Sequence, residues 1–334
     1  MIKRTVEISS GPTHLSIHNR QLVIDRVGRE PAMVPAEDIG LLMVDHQAVT
    51  YTHSVFTVLA EMGAAVVICG DKHLPDSMFM PVASNTVQTE RFGAQIAAPA
   101  PLNKRLWQKC VAAKLLNQAA TLEAASGSDA GLRAMAAKVR SGDPMNLEAQ
   151  GAQRYWPRLF GRTFRRDRNG DPPNNLLNYG YMAMRAAAAR AICAAGLLPT
   201  LGIHHRNRYN AFCLADDLME PYRPIVDSKV IELARDAVAP GVLGREEKAH
   251  LLGLFNHGVR IGERNTPVLL ALHTTASSLA RSFAERRAQL LFPEGLPSAA
   301  VEALDSDEDL TGTEIPAPSP PGEIMDIPDD ASDL

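Results

Sequence analysis

The sequence predicts an α+β protein with a small N-terminal β-sandwich-like domain, a larger all-α C-terminal domain and a disordered acidic tail. Three observations predict this architecture. Short runs rich in β-branched residues, separated by Gly, Asn and Pro, fill the first 70 residues. Stretches rich in Ala and Leu, with helical periodicity, begin near residue 101. After residue 304 acidic residues and Pro prevail, and the few apolar residues cannot offset the entropy of ordering the chain.

The N-terminal domain is assigned to residues 1–75, where a single helix interrupts the strand pattern. Residues 51–62 have helical periodicity, and Gly63 is a residue type that commonly ends a helix. The other short runs predict strands joined by tight turns, as in a small sandwich. These strands cover residues 5–8, 15–17, 21–25, 32–34, 39–44 and 64–69.

The C-terminal domain is assigned to residues 101–304, after a connector rich in Pro and containing Gly at residues 76–100. Eight stretches in this domain repeat apolar residues every three or four positions, which predicts helices. They cover residues 102–122, 131–140, 149–160, 175–195, 214–219, 229–237, 245–255 and 266–288. The predicted disordered tail comprises residues 305–334.

Composition narrows the class of protein. The chain has no apolar run near 18 residues and no hydrophobic N-terminal stretch of the kind found in signal peptides, which predicts a cytoplasmic protein without a membrane span. The four cysteines lack C-x-x-C spacing, which argues against disulfides and structural zinc. Residues 301–334 hold eleven of the 38 acidic residues and none of the 34 basic ones, which leaves +7 on residues 1–300. A basic body of this kind suits binding to DNA.

Residues 202–227 combine acidic residues, histidines and arginines in one short segment. Asp217 and Glu220 are three residues apart, so on a helix their like charges would repel unless a cation lay between them. One neutral imidazole with carboxylate oxygens suits Mn²⁺ or Mg²⁺. His205 is the candidate imidazole, and Glu148 is the candidate for a third carboxylate. Glu148, His205 and Glu220 would then form a metal triad.

Four sequence blocks carry a resemblance to a known family. They are E-x-x-G-A-x-x-Y-W from Glu148, N-x-L-x-Y-x-Y from Asn175, AGLLPTLGIHH and DLMEPYRPIVD. Together they resemble the CRISPR-associated endonuclease/integrase family, the catalytic subunit of spacer acquisition. The N-terminal pieces ISSGPTHLSIHNRQLVI, VPAEDIGLLMVD and GAAVVICGDKHLPD also resemble that family's first domain, in the branch found beside the large RNA-guided effector nuclease. The resemblance covers about 300 residues and excludes the tail.

The resemblance implies a metal-dependent enzyme whose helical domain is catalytic. Such an enzyme joins the 3′-hydroxyl ends of captured DNA to a CRISPR repeat by transesterification. It assigns metal binding to Glu148, His205 and Glu220, and catalysis to these three residues and Asp217. His204 and Asp216 remain open: His204 lies behind the ligands, contacts DNA or is only structural, and Asp216 is more readily explained as a helix cap.

Seven arginines are the candidates for DNA contact, because guanidinium groups pair with phosphate oxygens. Their alternative role is to form ion pairs in a solvated loop. The aromatic residues of the first two blocks could stack on bases, but core packing explains them better. The seven arginines are Arg162, Arg165, Arg166, Arg168, Arg206, Arg208 and Arg223.

The resemblance also implies partners. It predicts a homodimer, with two dimers bridged by a small ferredoxin-like CRISPR-associated protein into a heterohexamer. The large effector nuclease is a further candidate partner. The β domain would supply the dimer contact and help to separate the DNA ends. Two other interpretations stay open: a metal-dependent nuclease of branched or single-stranded DNA that does not integrate, and a non-catalytic DNA-binding scaffold whose acidic residues form ion pairs.

Overall fold

The computed structural model describes residues 3–70, 75–81, 85–167, 170, 172–236 and 243–297. Strands dominate the N-terminal part and helices the remainder, which confirms the predicted α+β class. The predicted tail at residues 305–334 lies outside the described residues. All described residues belong to one compact unit, Met1–Val301, so the domain boundary at residue 75 stays a prediction.

The described residues of the N-terminal part form two four-stranded sheets and one α-helix. In the first sheet, β1, β5 and β7 pair in parallel and β8 pairs antiparallel to β7, in the order β1-β5-β7-β8. The second sheet has the order β4-β3-β2-β6. The elements are β1 (Arg4–Ile8), β2 (Thr13–His18), β3 (Gln21–Arg26), β4 (Ala32–Pro35), β5 (Ile39–Val44), β6 (Val49–Tyr51), α1 (His53–Glu61), β7 (Ala65–Cys69) and β8 (Pro75–Phe79).

Strand β5 shows why the first sheet joins the two parts of the molecule. All six of its residues are buried, as expected for a parallel strand covered on both faces. Leu42 and Val44 belong to the core between the sheets, together with helix α1. Leu41 and Met43 belong to the core formed with the helices that follow. The alternation of side chains along one strand therefore serves two cores.

The predicted connector at residues 76–100 contains regular structure, so this part of the prediction was incomplete. Strand β8 begins at its N-terminal edge, and helix α2 (Gln88–Ile96) follows. The buried Gln95 side chain donates to the carbonyl oxygens of Leu198 (3.0 Å) and Leu201 (3.1 Å) and accepts from the Leu198 amide (2.8 Å). Helix α2 thus fixes the loop that leads to the two histidines.

In the described ranges eight further α-helices follow, and they correspond to the eight predicted helical stretches. A β-hairpin that the sequence pattern did not predict, β9 (Gly258–Ile261) with β10 (Arg264–Pro267), separates the last two. None of the helices in the described ranges combines the length and low polarity needed to cross a bilayer. The helices are α3 (Ala100–Ser126), α4 (Leu132–Ala136), α5 (Leu147–Phe160), α6 (Asn174–Ala194), α7 (Cys213–Met219), α8 (Arg223–Asp236), α9 (Arg245–Gly253) and α10 (Val268–Ala284).

Helix α3 is the central element of the helical part and contacts α4, α5, α7 and α8. Its buried face is partly polar, because it carries Lys114, Asn117, Gln118 and Thr121 among apolar residues. The Asn117 amide group donates to the carbonyl oxygen of Pro221 at 2.8 Å. Polar groups on this face therefore hold the chain beside the predicted site.

Candidate active site

Glu148 lies in the first turn of α5, because this helix begins at Leu147, two residues before its predicted start at residue 149. The carboxylate of Asp143 accepts hydrogen bonds from the backbone amides of Leu147 (2.9 Å) and Glu148 (3.0 Å). These bonds satisfy two amides that a helix start otherwise leaves unpaired. Asp143 thereby fixes the position from which the Glu148 side chain extends.

Glu220 lies where α7 ends and a short 3-10 turn, Glu220–Tyr222, leads into α8. A break here is expected from Pro221, which restricts the residue before it. The Arg223 guanidinium, three residues on, donates from Nε to Glu220 Oε1 at 2.8 Å. The Glu220 side chain is only 9% exposed and that of Arg223 26%, so water screens this pair only in part.

Lys114 joins the two glutamates. Its Nζ lies 2.7 Å from Glu148 Oε1 and 2.5 Å from Glu220 Oε2. Burial opposes the charged form of Lys114, yet the negative charges of Glu220 and Glu148 raise its pKa. Burial alone would raise the pKa of Glu220, but the charges of Arg223 and Lys114 outweigh it and lower the pKa to about 2. Lys114 and Glu220 are therefore both ionised at neutral pH.

His205 is oriented by Asp217, whose side chain is fully buried in α7. The Asp217 carboxylate accepts from the backbone amides of His204 (2.9 Å) and His205 (3.3 Å), and it lies 2.5 Å from His205 Nδ1. This hydrogen bond is the main reason that the pKa of His205 is raised. With its Nδ1 proton directed at Asp217, the neutral ring has Nε2 free to bind a metal.

His204 has a different environment. Its ring stacks on Trp107 of α3, with centroids 4.1 Å apart and planes 2° from parallel. Burial, followed by the neighbouring His205, lowers its pKa. Of the three roles considered for His204, this stacking supports the structural one.

Gly202 permits the close approach of the histidine loop to α7. A Cβ atom at this position would lie 2.4 Å from the carbonyl oxygen of His205 and 2.8 Å from Asp217 Oδ2. We expect Gly202→Ala to lower the free energy of unfolding by about 1–3 kcal/mol, because the first obstacle is backbone and cannot rotate away. Urea unfolding measures this effect. The control is Gly253→Ala, where a Cβ atom meets nothing within 4 Å; equal losses in both variants would contradict the explanation.

A second buried network lies behind Arg223. Asp227 is 1% exposed and accepts hydrogen bonds from the hydroxyls of Tyr155 (2.8 Å) and Tyr181. The Tyr181 ring faces the guanidinium of Arg223 at 4.6 Å and that of Arg166 at 5.1 Å. The two tyrosines are core residues, as the sequence indicated, and the Tyr181 ring packs against the cation that pairs with Glu220.

Asp227 should make stability depend on pH. Burial raises its pKa to about 6, above an ordinary value of about 4. The folded state therefore binds this proton more tightly, and the stability it contributes below pH 4 is lost as the pH rises through 6. We expect wild type to lose about 2 kcal/mol more than Asp227→Asn between pH 4 and pH 7. Urea unfolding at both pH values tests this; identical pH dependence in the two proteins would contradict it.

The described residues fit a divalent ion in donor type but not in arrangement. Two carboxylates and one imidazole nitrogen suit Mg²⁺ or Mn²⁺. However, within the described ranges no three His, Cys, Asp or Glu side chains are grouped closely enough to hold a metal as they stand. Glu148 and Glu220 converge on Lys114, whereas His205 is held by Asp217. The charges of Glu220 and Glu148 still contribute to the raised pKa of His205, so the three residues share one electrostatic environment.

Comparison with known proteins decides the family. The model for "CRISPR associated protein Cas1" matches residues 6–240. A CRISPR-associated endonuclease Cas1 from Neisseria meningitidis serogroup C is 37% identical over 301 residues, which cover 89% of this chain and 98% of that protein. The chain belongs to the Cas1 family. The resemblance in the four sequence blocks is thereby confirmed.

Solved structures support the Cas1 fold at lower identity. A casposase bound to an integration product has a TM-score of 0.72 and 19% identity, covering 86% of this chain and 92% of its own. A Cas6-RT-Cas1–Cas2 complex has a TM-score of 0.63 and 17% identity, covering 86% of this chain and 35% of that one. At these identities the likeness concerns the fold alone.

The predicted DNA-contacting arginines of this Cas1-family chain fall into two groups, and their role in DNA binding stays a prediction. Arg162, Arg165, Arg206 and Arg208 are exposed, whereas Arg168 lies outside the described residues. Arg166 and Arg223 are partly buried and engaged by other side chains: Arg166 donates to the side-chain oxygens of Asn174 and Asn178, and Arg223 donates to Glu220. The guanidinium groups of the four exposed arginines are therefore more accessible to phosphates than those of Arg166 and Arg223.

The sequence did not predict two residues of the site: Lys114, which joins the two glutamates, and Arg185, which pairs with Asp216. Asp216 is not a helix cap; both of its carboxylate oxygens accept hydrogen bonds from the Arg185 guanidinium, each at 2.7 Å. Lys114 could have been found from its helical period, because it lies one turn after the buried Cys110 and one turn before the buried Gln118. A lysine on the buried face of a helix needs anionic partners.

Proposed function

We propose that this chain is a divalent-metal-dependent DNA endonuclease and integrase of CRISPR adaptation. It would join the 3′-hydroxyl ends of captured DNA to the repeat array by transesterification. One observation carries the proposal: the carboxylates of Glu148 and Glu220, far apart in sequence, meet at a single cationic point beside an imidazole whose Nδ1 is held by Asp217. Membership of a family with endonucleases among its relatives supports the same class of chemistry.

The roles of the residues follow from their contacts. When bound, Mg²⁺ or Mn²⁺ would polarise the scissile phosphoryl group and stabilise the leaving oxygen. Glu148 and Glu220 would hold it through carboxylate oxygens, and His205 through Nε2. Asp217 fixes the tautomer and direction of His205. Since the nucleophile is the 3′-hydroxyl of the DNA, the task of the protein is to hold the reacting groups in line.

Two matched structures support a proposal about the partners of this chain. One matched structure is a complex that contains Cas1 and Cas2, and another is a casposase bound to an integration product. We propose that this chain forms a homodimer in the cytoplasm, and that a small ferredoxin-like partner bridges two dimers into a heterohexamer on double-stranded DNA. The exposed arginines beside the site, Arg206 and Arg208 among them, would contact phosphates. The N-terminal pieces resemble the branch of the family found beside the large RNA-guided effector nuclease, which supports that nuclease as a further partner.

A joining assay tests the function. Supercoiled plasmid carrying a repeat, the partner protein and an oligonucleotide with a 3′-hydroxyl are incubated with the chain and Mn²⁺. We expect covalent joining that EDTA abolishes and that an oligonucleotide lacking the 3′-hydroxyl does not support. Nicking without joining would favour the nuclease without integration. Binding without any strand cleavage, unaffected by EDTA, would favour the scaffold.

A further inference from the structure

We propose that Lys114 is a positioning residue that competes with the divalent ion for the carboxylates of Glu148 and Glu220, and so sets how tightly the site binds metal. This inference rests on the proposed function, because it takes both glutamates to be metal ligands. It adds a residue of α3 to a site that the sequence assigned to α5 and the segment after α6.

The competition follows from shared oxygen atoms. The Lys114 ammonium lies within hydrogen-bonding distance of one oxygen of each carboxylate, 2.7 Å from Glu148 and 2.5 Å from Glu220. A hard cation bound by both carboxylates would also lie between them, about 2 Å from each oxygen. The ammonium and the ion therefore cannot occupy this position together.

Charge leads to the same conclusion. Glu148 and Glu220 carry two negative charges, and Lys114 and Arg223 already balance them. The side chains of Lys114 and Glu220 are 11% and 9% exposed, so water screens them poorly. A divalent ion added beside an unmoved ammonium would meet strong repulsion. Binding therefore requires Lys114 to withdraw, whereas Arg223 approaches Glu220 through its other oxygen and can stay.

The sign of one effect separates competition from ordinary structural support. A lysine that only braced the glutamates would aid metal binding, so its removal would weaken the affinity. A competing lysine has the opposite effect: its removal leaves two carboxylates that repel each other until an ion binds. The variant should then be less stable before metal is added and should gain more stability from it.

Calorimetric titration of Mn²⁺ into the full-length chain tests this sign. We expect Lys114→Met to bind Mn²⁺ roughly tenfold or more tightly than wild type, since one repelling charge is removed from a poorly screened site. The control is Lys109→Met, because Lys109 is exposed on the same helix; it should leave the affinity unchanged. Unchanged or weaker binding by Lys114→Met would overturn the inference. If Glu148→Gln and Glu220→Gln bind Mn²⁺ as tightly as wild type does, the proposed function itself fails.

A measurement on the wild-type protein covers the case in which Lys114→Met does not fold. Amine acylation followed by mass spectrometry reports how accessible each lysine is. We expect Mg²⁺ to increase the labelling of Lys114 relative to Lys109, because the displaced ammonium leaves its carboxylate partners. Unchanged or slower labelling of Lys114 at a Mg²⁺ concentration that saturates the site would overturn the inference.

Discussion

We expect Glu220→Gln to reduce the joining of a 3′-hydroxyl oligonucleotide to plasmid DNA by at least roughly a hundredfold, since loss of a ligand exceeds the usual cost of losing a supporting residue. The substitution keeps the shape of the side chain but removes the charge that faces Lys114 and Arg223. Glu148→Gln should have a comparable effect, because its carboxylate meets the same point. Joining is measured on gels under single-turnover conditions.

The matched control is Glu123→Gln, which alters a glutamate on α3 that is 41% exposed and pairs with Arg133. We expect it to join DNA at the wild-type rate. Circular dichroism of each variant shows whether a loss of joining reflects unfolding. Full joining by folded Glu148→Gln and Glu220→Gln would show that neither carboxylate takes part in the reaction.

We expect Asp217→Asn to weaken Mn²⁺ affinity by roughly 10- to 100-fold, the usual cost of losing the partner of a histidine ligand. Asp217 accepts hydrogen bonds from three N–H groups. An amide has only one acceptor oxygen, so its NH₂ group would face a donor. The resulting rearrangement would turn the His205 ring and cost about 1–3 kcal/mol of stability.

The neighbouring Asp216 provides the comparison for this prediction. Asp216 pairs with Arg185 and Asn210 rather than with a histidine. We therefore expect Asp216→Asn to lower the melting temperature while largely preserving Mn²⁺ affinity, which electron paramagnetic resonance of free Mn²⁺ measures. Equal loss of affinity in both variants would mean that Asp217 has no special role in orienting His205.

The sequence singled out Glu148, His205 and Glu220, whose role as metal ligands stays a prediction, but it did not single out Lys114. Glu148, His205 and Glu220 stand in ordered sequence blocks, and the structure brings the two glutamates to one lysine. Lys114 was missed because a single lysine in an Ala- and Leu-rich helix resembles one that extends to solvent. Its burial depends on α5 and α7, which pack against α3 from distant parts of the chain.

The incomplete parts of the fold prediction have similar causes. The Pro residues and Gly93 of the predicted connector concealed helix α2, whose anchor Gln95 bonds to a loop about 100 residues away. The parallel pairing of β5 with β1 and β7 arises from contacts between separated segments, which local alternation does not encode. Likewise, spacing alone could not distinguish the exposed Arg165 from Arg166, which two asparagines of α6 hold.

The central claim is that Glu148, His205 and Glu220 bind one divalent ion. Diffraction at the manganese absorption edge, from crystals grown with Mn²⁺, tests it most directly. We predict one anomalous peak about 2 Å from a carboxylate oxygen of Glu148 and of Glu220 and from His205 Nε2, with Lys114 Nζ moved away. An anomalous peak elsewhere, with Lys114 still between the two carboxylates at a saturating Mn²⁺ concentration, would contradict the claim.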